Sequence, residues 1–228
     1  MNEENRKKWI EKKLKNLPVG SRILDAGAGE QQYKKYCEHL NYVSQDFAAY
    51  NPLIGDKGLH AKNWQYGNLD IISDIINIPE PANSFDAIIC TEVFEHIVDP
   101  LAALNEFKRL LKNDGILILT APFNSLTHFA PYHYYTGFSR YFYEYHLPKH
   151  DFTIIEIEPN GTYFSYLQQE INRLPYVISK YSDSKINKLD KYIFKLISWR
   201  LGRYNKRDKN SSELGVYGWH VVAKKMSK

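Results

Sequence analysis

The sequence predicts an α/β protein built on a doubly wound, mostly parallel sheet of seven strands, with a helical insertion before the last strand. Three observations lead there. Short apolar runs bounded by turn residues recur at residues 22–26, 42–46, 69–74, 85–90 and 116–120, with helix-compatible stretches between them. The first run passes directly into Gly27-Ala28-Gly29, a turn whose main chain stays open to a ligand where a Cβ would collide. In such sheets ligands sit at the carboxyl ends of the strands, which is where Asp25, Asp46 and Asp74 fall.

Composition narrows the class. A chain of 228 residues suits one domain with additions, and 43% apolar with 25% charged residues suits a soluble protein with a sizeable core. The net charge of +4 does not point to nucleic acid. Cys37 and Cys90 are too few for a disulfide framework, and no Cys/His spacing suggests a metal. The charged start has no apolar core of a signal peptide, and no stretch approaches the roughly 20 apolar residues of a membrane span. A reducing, cytoplasmic setting is the expectation.

Residues 1–17 form an N-terminal helix, with Ile10, Leu14 and Leu17 on one face; it either packs on the sheet, the preferred reading, or covers the ligand. After the glycine turn, Gln31 to Leu40 reads as a helix and residues 42–46 as the second strand. Asp46 stands about 20 residues past the glycines, where nucleotide-binding units place a ribose-binding acid. A loop-rich connection, 47–68, leads to the third strand, 69–74, and the fourth, 85–90. Asp99-Pro100 starts a helix, acid as N-cap and proline at its first position, and residues 116–120 are the fifth strand. A helix over 138–149, a strand over 151–158, an insertion over 161–212 and a last strand over 215–224 complete the chain.

The glycine pattern lacks the third glycine of a dinucleotide site, and Asp25 and Glu30 flank it. Two carboxylates there would repel a pyrophosphate. A ligand with a cationic centre and no phosphate fits better, and S-adenosylmethionine has a sulfonium, an ammonium, a ribose diol and an adenine. Four motifs in order, residues 23–29, 73–75 with 83–86, 91–97 and 110–115, resemble the class I SAM-dependent methyltransferases, and within them the small-molecule "type 11" group. The resemblance covers about residues 20–125 and implies the Rossmann-like methyltransferase fold with S-adenosyl-L-methionine as cofactor. It further implies that the loop Asp25, Gly27, Ala28 and Gly29 holds the methionine part, with Asp25 orienting the loop or meeting the ammonium, and that Asp46 holds the ribose. Asp74 and Ile75 would meet the adenine, with Thr91 and Glu92 at the methionine end. Gln31 stands where many members carry a third glycine.

Beyond the fifth strand, residues 122–137 form the expected acceptor loop, rich in Tyr and His. His128 and His133 are the candidate catalytic bases, with pKa values suited to proton removal near neutrality. No Asp, Glu or Cys cluster lies near them in sequence, so no metal is expected. Glu95-His96 reads either as a base or, preferably, as a structural or cofactor-shell pair at a helix start. The insertion has an apolar helical face and a basic one. It reads as a lid first, a homodimer contact second and a basic membrane-facing surface last. The expected activity is methyl transfer to a small-molecule acceptor, an oxygen of a sugar or related metabolite, with no nucleic acid partner. RNA or protein methylation, and a catalytically silent SAM-binding subunit, stand as alternatives.

Overall fold

A computed structural model describes residues 2–51, 58–59 and 64–227. Read as one domain from the sequence, the chain divides into two compact units, Met1–Glu158 with Gly218–Lys228, and Pro159–Tyr217.

The first unit carries the sheet. Helix α1 (Asn2–Lys15) precedes strands β1 (Arg22–Ala26), β2 (Asn41–Asp46), β3 (Ile71–Ile72) and β4 (Phe85–Thr91). Helix α2 (Pro100–Leu110), strand β5 (Leu111–Pro122), helix α3 (Arg140–Lys149) and strand β6 (Phe152–Asn160) follow, and β7 (Gly218–Lys225) ends the chain. The seven strands lie in the order β3-β2-β1-β4-β5-β7-β6. β1, β2, β3, β4 and β5 pair in parallel, and β7 runs antiparallel to β5. The strand order reverses between β1 and β4, which opens a crevice at their carboxyl ends.

The central strands are apolar on both faces because helices cover both. Ile23, Leu24, Ala87, Ile88, Ile89, Leu117 and Leu119 are fully buried. Helix α1 packs on the sheet, as preferred above: Ile10 and Leu14 join Ile23, Tyr33, Ala87, Ile89 and Ile118 in one cluster. Helix α2 starts as its sequence demands. Asp99 accepts from the N–H groups of Leu101 and Ala102 at 3.0 and 2.9 Å, ahead of Pro100.

Three elements differ from expectation, among them the fifth strand, which runs over Leu111–Pro122 instead of residues 116–120. The stretch from Gln31 to Leu40 is a run of turns with one 3₁₀ segment, Lys34–Tyr36, instead of a helix. Gln31 takes the left-handed conformation (φ 56°), and i→i+3 bonds close from Lys34 to Leu40. Tyr33, Cys37 and Leu40 still reach the core, because a spacing of three or four residues serves successive turns as well as an α-helix. The third strand shrinks from residues 69–74 to Ile71–Ile72, an edge strand pairing only with the end of β2.

The second unit contains the helical part of the 161–212 insertion: α4 (Tyr163–Tyr181) and α5 (Lys188–Asn205). Each begins with a reciprocal cap, Thr162 with Ser165 and Asn187 with Asp190. The helices run antiparallel, since Gln168 donates to the Ser198 carbonyl at 2.8 Å and Phe164 meets Tyr204 with ring centroids 5.8 Å apart. Among the described residues no helix is long and apolar enough to cross a membrane.

Candidate active site

A cavity of about 540 Å³ opens at the carboxyl ends of β1, β2 and β4. Its size lies within the range of small-molecule sites. The glycine turn forms one wall. Gly27 and Ala28 both donate to the Gln45 carbonyl, at 2.9 and 2.8 Å, which ties the turn to the end of β2. Gly27 (φ +76°) lies so close to Val93 that a Cβ would sit 2.5 Å from its methyl carbon. Gly29 (φ +50°) packs under Trp64, whose ring a Cβ would approach to 2.8 Å. An alanine at Gly29 would occupy the left-handed region at a cost of about 1–2 kcal/mol. It would also push Trp64 into the cavity. Gly29→Ala is expected to lower the melting midpoint by several degrees and weaken binding of S-adenosylhomocysteine at least tenfold; scanning calorimetry and titration calorimetry check the two effects.

Of the cofactor residues expected from the sequence, Gly27, Gly29, Asp46, Asp74, Ile75 and Glu92 line the cavity. Asp46 is buried, and its two oxygens accept from Gly29 and Ala48 N–H groups at 2.9 and 3.0 Å. It therefore shapes the turn as well as facing the cavity. Asp74 accepts from the Ile76 N–H at 3.2 Å, beside the buried Ile75. Glu92 sits at the end of β4 with a left-handed backbone (φ 54°). Its side chain is held by Thr120 at 3.0 Å and paired with Arg6 of α1 at 2.9 Å. A non-glycine residue in that region is strained and is held there by its surroundings.

Asp25, Ala28 and Thr91 do not line the cavity. Asp25 lies beneath the turn, only 2% exposed, where Tyr42 O–H donates to it at 2.6 Å. Burial pushes its carboxyl up to about 7. Glu30 is exposed, accepts from the Gln65 N–H at 3.3 Å and does not line the cavity either. The two flanking acids are thus not the ones that repel phosphate. Asp46, Asp74, Glu92 and Asp99 line the cavity instead, with no Lys or Arg among the described lining residues. An acid-rich lining opposes a pyrophosphate and accommodates a sulfonium. Gln31 occupies the missing-glycine position by adopting a positive φ, its side chain turned away to donate to the Asn68 carbonyl at 2.7 Å.

Aromatic rings complete the lining, in part from the expected acceptor loop. Trp64 and Tyr66 come from the stretch that reads as a featureless connection, and Phe129, Tyr132 and Tyr134 from the acceptor loop. Trp64 and Phe129 meet edge to face at 4.8 Å, and Phe129 meets Tyr50 at 4.4 Å. For Trp64 and Tyr66 the sequence signal was the concentration of aromatics beside Gly67.

His128 and His133 do not line the cavity; His96 does. The three rings cluster together, with centroids 4.6 to 6.0 Å apart. His133 Nε2 meets Ser125 Oγ at 3.1 Å, and burial lowers its pKa. Burial, reinforced by His128, lowers His96 to about 3, so its ring is neutral near pH 7. The expectation that no carboxylate accompanies the loop histidines is corrected. Glu95, 1% exposed, places Oε1 3.7 Å from His96 and 3.8 Å from His128.

Residues 1–172 match the methyltransferase-domain family. A tRNA (carboxymethyluridine(34)-5-O)-methyltransferase of Schizosaccharomyces pombe is 30% identical over 114 residues, covering 48% of this chain and 46% of that protein. A ubiquinone biosynthesis O-methyltransferase of Xanthomonas axonopodis is 29% identical over 106 residues, 45% of this chain and 44% of that protein. The chain spans less than half the length of the curated relatives it matches. A SAM-dependent methyltransferase of Archaeoglobus fulgidus shares the fold, with a TM-score of 0.54 at 15% identity over 96% of this chain and 94% of that one. S-adenosylmethionine is the cofactor these findings support, and the chain belongs to the methyltransferase-domain family.

Proposed function

We propose that the protein transfers the methyl group of S-adenosylmethionine to an oxygen of a small acceptor, a sugar or related metabolite. The observation behind this reading is one cavity lined by two chemically different sets of groups: glycines and carboxylates, and aromatic rings with an imidazole. The first suits a cation carrying a ribose, the second a flat or ring-shaped acceptor. Both relatives described above carry names that specify methylation at oxygen.

In this reading the acceptor oxygen attacks the methyl carbon in line. Bound S-adenosylmethionine would supply the methyl group on a sulfonium that leaves as the thioether, and the imidazole cluster would take the hydroxyl proton of the acceptor. The protein contributes mainly alignment. His128 and His133 remain the proposed bases, with His96 between them and the cavity.

The test is methyl transfer from labelled S-adenosylmethionine to a panel of sugars and sugar nucleotides, with bulk tRNA alongside. Methylated sugar with stoichiometric S-adenosylhomocysteine is expected. Transfer to tRNA alone would replace this reading with RNA methylation. Replacing the base, His128→Ala or His133→Ala, should lower kcat by about 10²–10⁴-fold. Full turnover in both variants would remove the two histidines from that role.

A further inference from the structure

Strand β4 ends in a 3₁₀ turn, Phe94–His96, which presents Glu95 and His96 side by side. The acceptor loop returns His128 to the same point, 32 positions later in the chain. His96 Nε2 and His128 Nε2 lie 3.1 Å apart, and Glu95 Oε1 faces both.

The proton positions make this arrangement unusual. His96 Nδ1 meets the Tyr132 carbonyl, and His128 Nδ1 meets the Leu126 carbonyl at 2.9 Å. A carbonyl oxygen only accepts, so each Nδ1 carries the hydrogen and each neutral ring presents an unprotonated Nε2. With both rings neutral, the two lone pairs lie 3.1 Å apart with no hydrogen between them. Beside them the other Glu95 oxygen, Oε2, is buried with no partner among the described residues. Such a site calls for a cation.

We propose that Glu95, His96 and His128 bind a divalent metal ion of the zinc type through Oε1 and the two Nε2 atoms. A triangle with the three observed separations has a point about 2.1 Å from every corner, matching the 2.0–2.2 Å of zinc bonds to imidazole nitrogen and carboxylate oxygen. The carbonyls on both Nδ1 atoms are the outer partners that orient metal-binding histidines. Two histidines and one glutamate leave a fourth position of a tetrahedral ion open, the arrangement of catalytic rather than structural zinc. His96 also lines the cavity, so that position is suited to an acceptor oxygen, whose proton a bound ion would make easier to remove. This last role rests on the methyl-transfer reading above; the metal site itself does not. With His128 as a ligand, His133 is left as the loop imidazole to take that proton.

The experiment uses the full chain stripped with a chelator and titrated with Co²⁺, followed by its visible absorption, then displaced by Zn²⁺ and counted by elemental analysis. One ion per chain is expected, with the intense visible bands of a four-coordinate site. His128→Ala and Glu95→Gln should each weaken binding by more than the 10–100-fold typical of losing an outer partner of a ligand. Melting curves identify variants that fail to fold, and the two variants replace one another as the reporter. No stoichiometric uptake by the parent, or equal uptake by a folded variant, overturns the site. S-adenosylhomocysteine binding is measured in the same metal-free samples. Its loss with metal uptake intact overturns the cofactor reading and leaves the site standing.

Discussion

Replacing Asp46 with alanine is expected to weaken S-adenosylhomocysteine binding by at least 100-fold. The carboxylate accepts from Gly29 and Ala48 N–H groups at 2.9 and 3.0 Å, and Gly29 is itself buried. Removing it strands two main-chain donors, each at about 1–3 kcal/mol when water cannot replace the lost acceptor. Loss of either also releases the turn that forms the cavity wall, and the ribose loses the acid that the family resemblance assigns to it. A 100-fold change corresponds to about 2.7 kcal/mol, within reach of these losses. Asp46→Asn retains one acceptor oxygen and should fall between alanine and parent. Titration calorimetry at fixed pH measures all three; parent-like affinity in Asp46→Ala would remove this residue from the cofactor site.

The second large effect is a pH-dependent stability centred on Asp25. Burial holds its carboxyl at about 7 against an ordinary value of 3.8, opposed by the Tyr42 hydrogen bond and increased by the charge of Asp46. The folded state therefore binds this proton more tightly than the unfolded chain. Its contribution is fully present below about pH 4 and is lost as pH rises through about 7. Holding a proton that much more tightly in the folded chain is worth of order 4 kcal/mol. Asp25→Asn removes the titration while keeping an oxygen for the Tyr42 hydroxyl. Denaturant melts should show the variant near parity at about pH 4 and more stable than the parent by several kcal/mol at about pH 8. A constant difference across that range would mean that Asp25 is ionised throughout.

Much of the fold was legible because its signals are local. The central strands are continuous apolar runs, since helices cover both faces of a parallel sheet, and Asp99-Pro100 caps its helix through atoms two and three residues away. The stretch 31–40 misled because its buried residues recur at a spacing common to helices and 3₁₀ turns. The third strand was overextended because an edge strand needs pairing on only one side.

The candidate site was legible in part. Gly27, Gly29, Asp46, Asp74 and Glu92 reached the cavity because strand ends point there in a doubly wound sheet. Asp25 and Glu30, equally prominent in the sequence, turned elsewhere: one under the turn, the other into solvent. Which way an acid points at a strand end depends on the pleat and on neighbours such as Tyr42, and neither is a property of spacing.

The sequence by itself determined the order of strands and helices, the open turn at Gly27–Gly29 and the family, all of which rest on residue types at short range. Only the tertiary structure decided which carboxylates face the cavity, that Trp64 closes over Gly29, and that Glu95, His96 and His128 converge. The reason is physical. These groups meet because separate segments are brought together by packing of the core between them, and a local pattern carries no record of that distance.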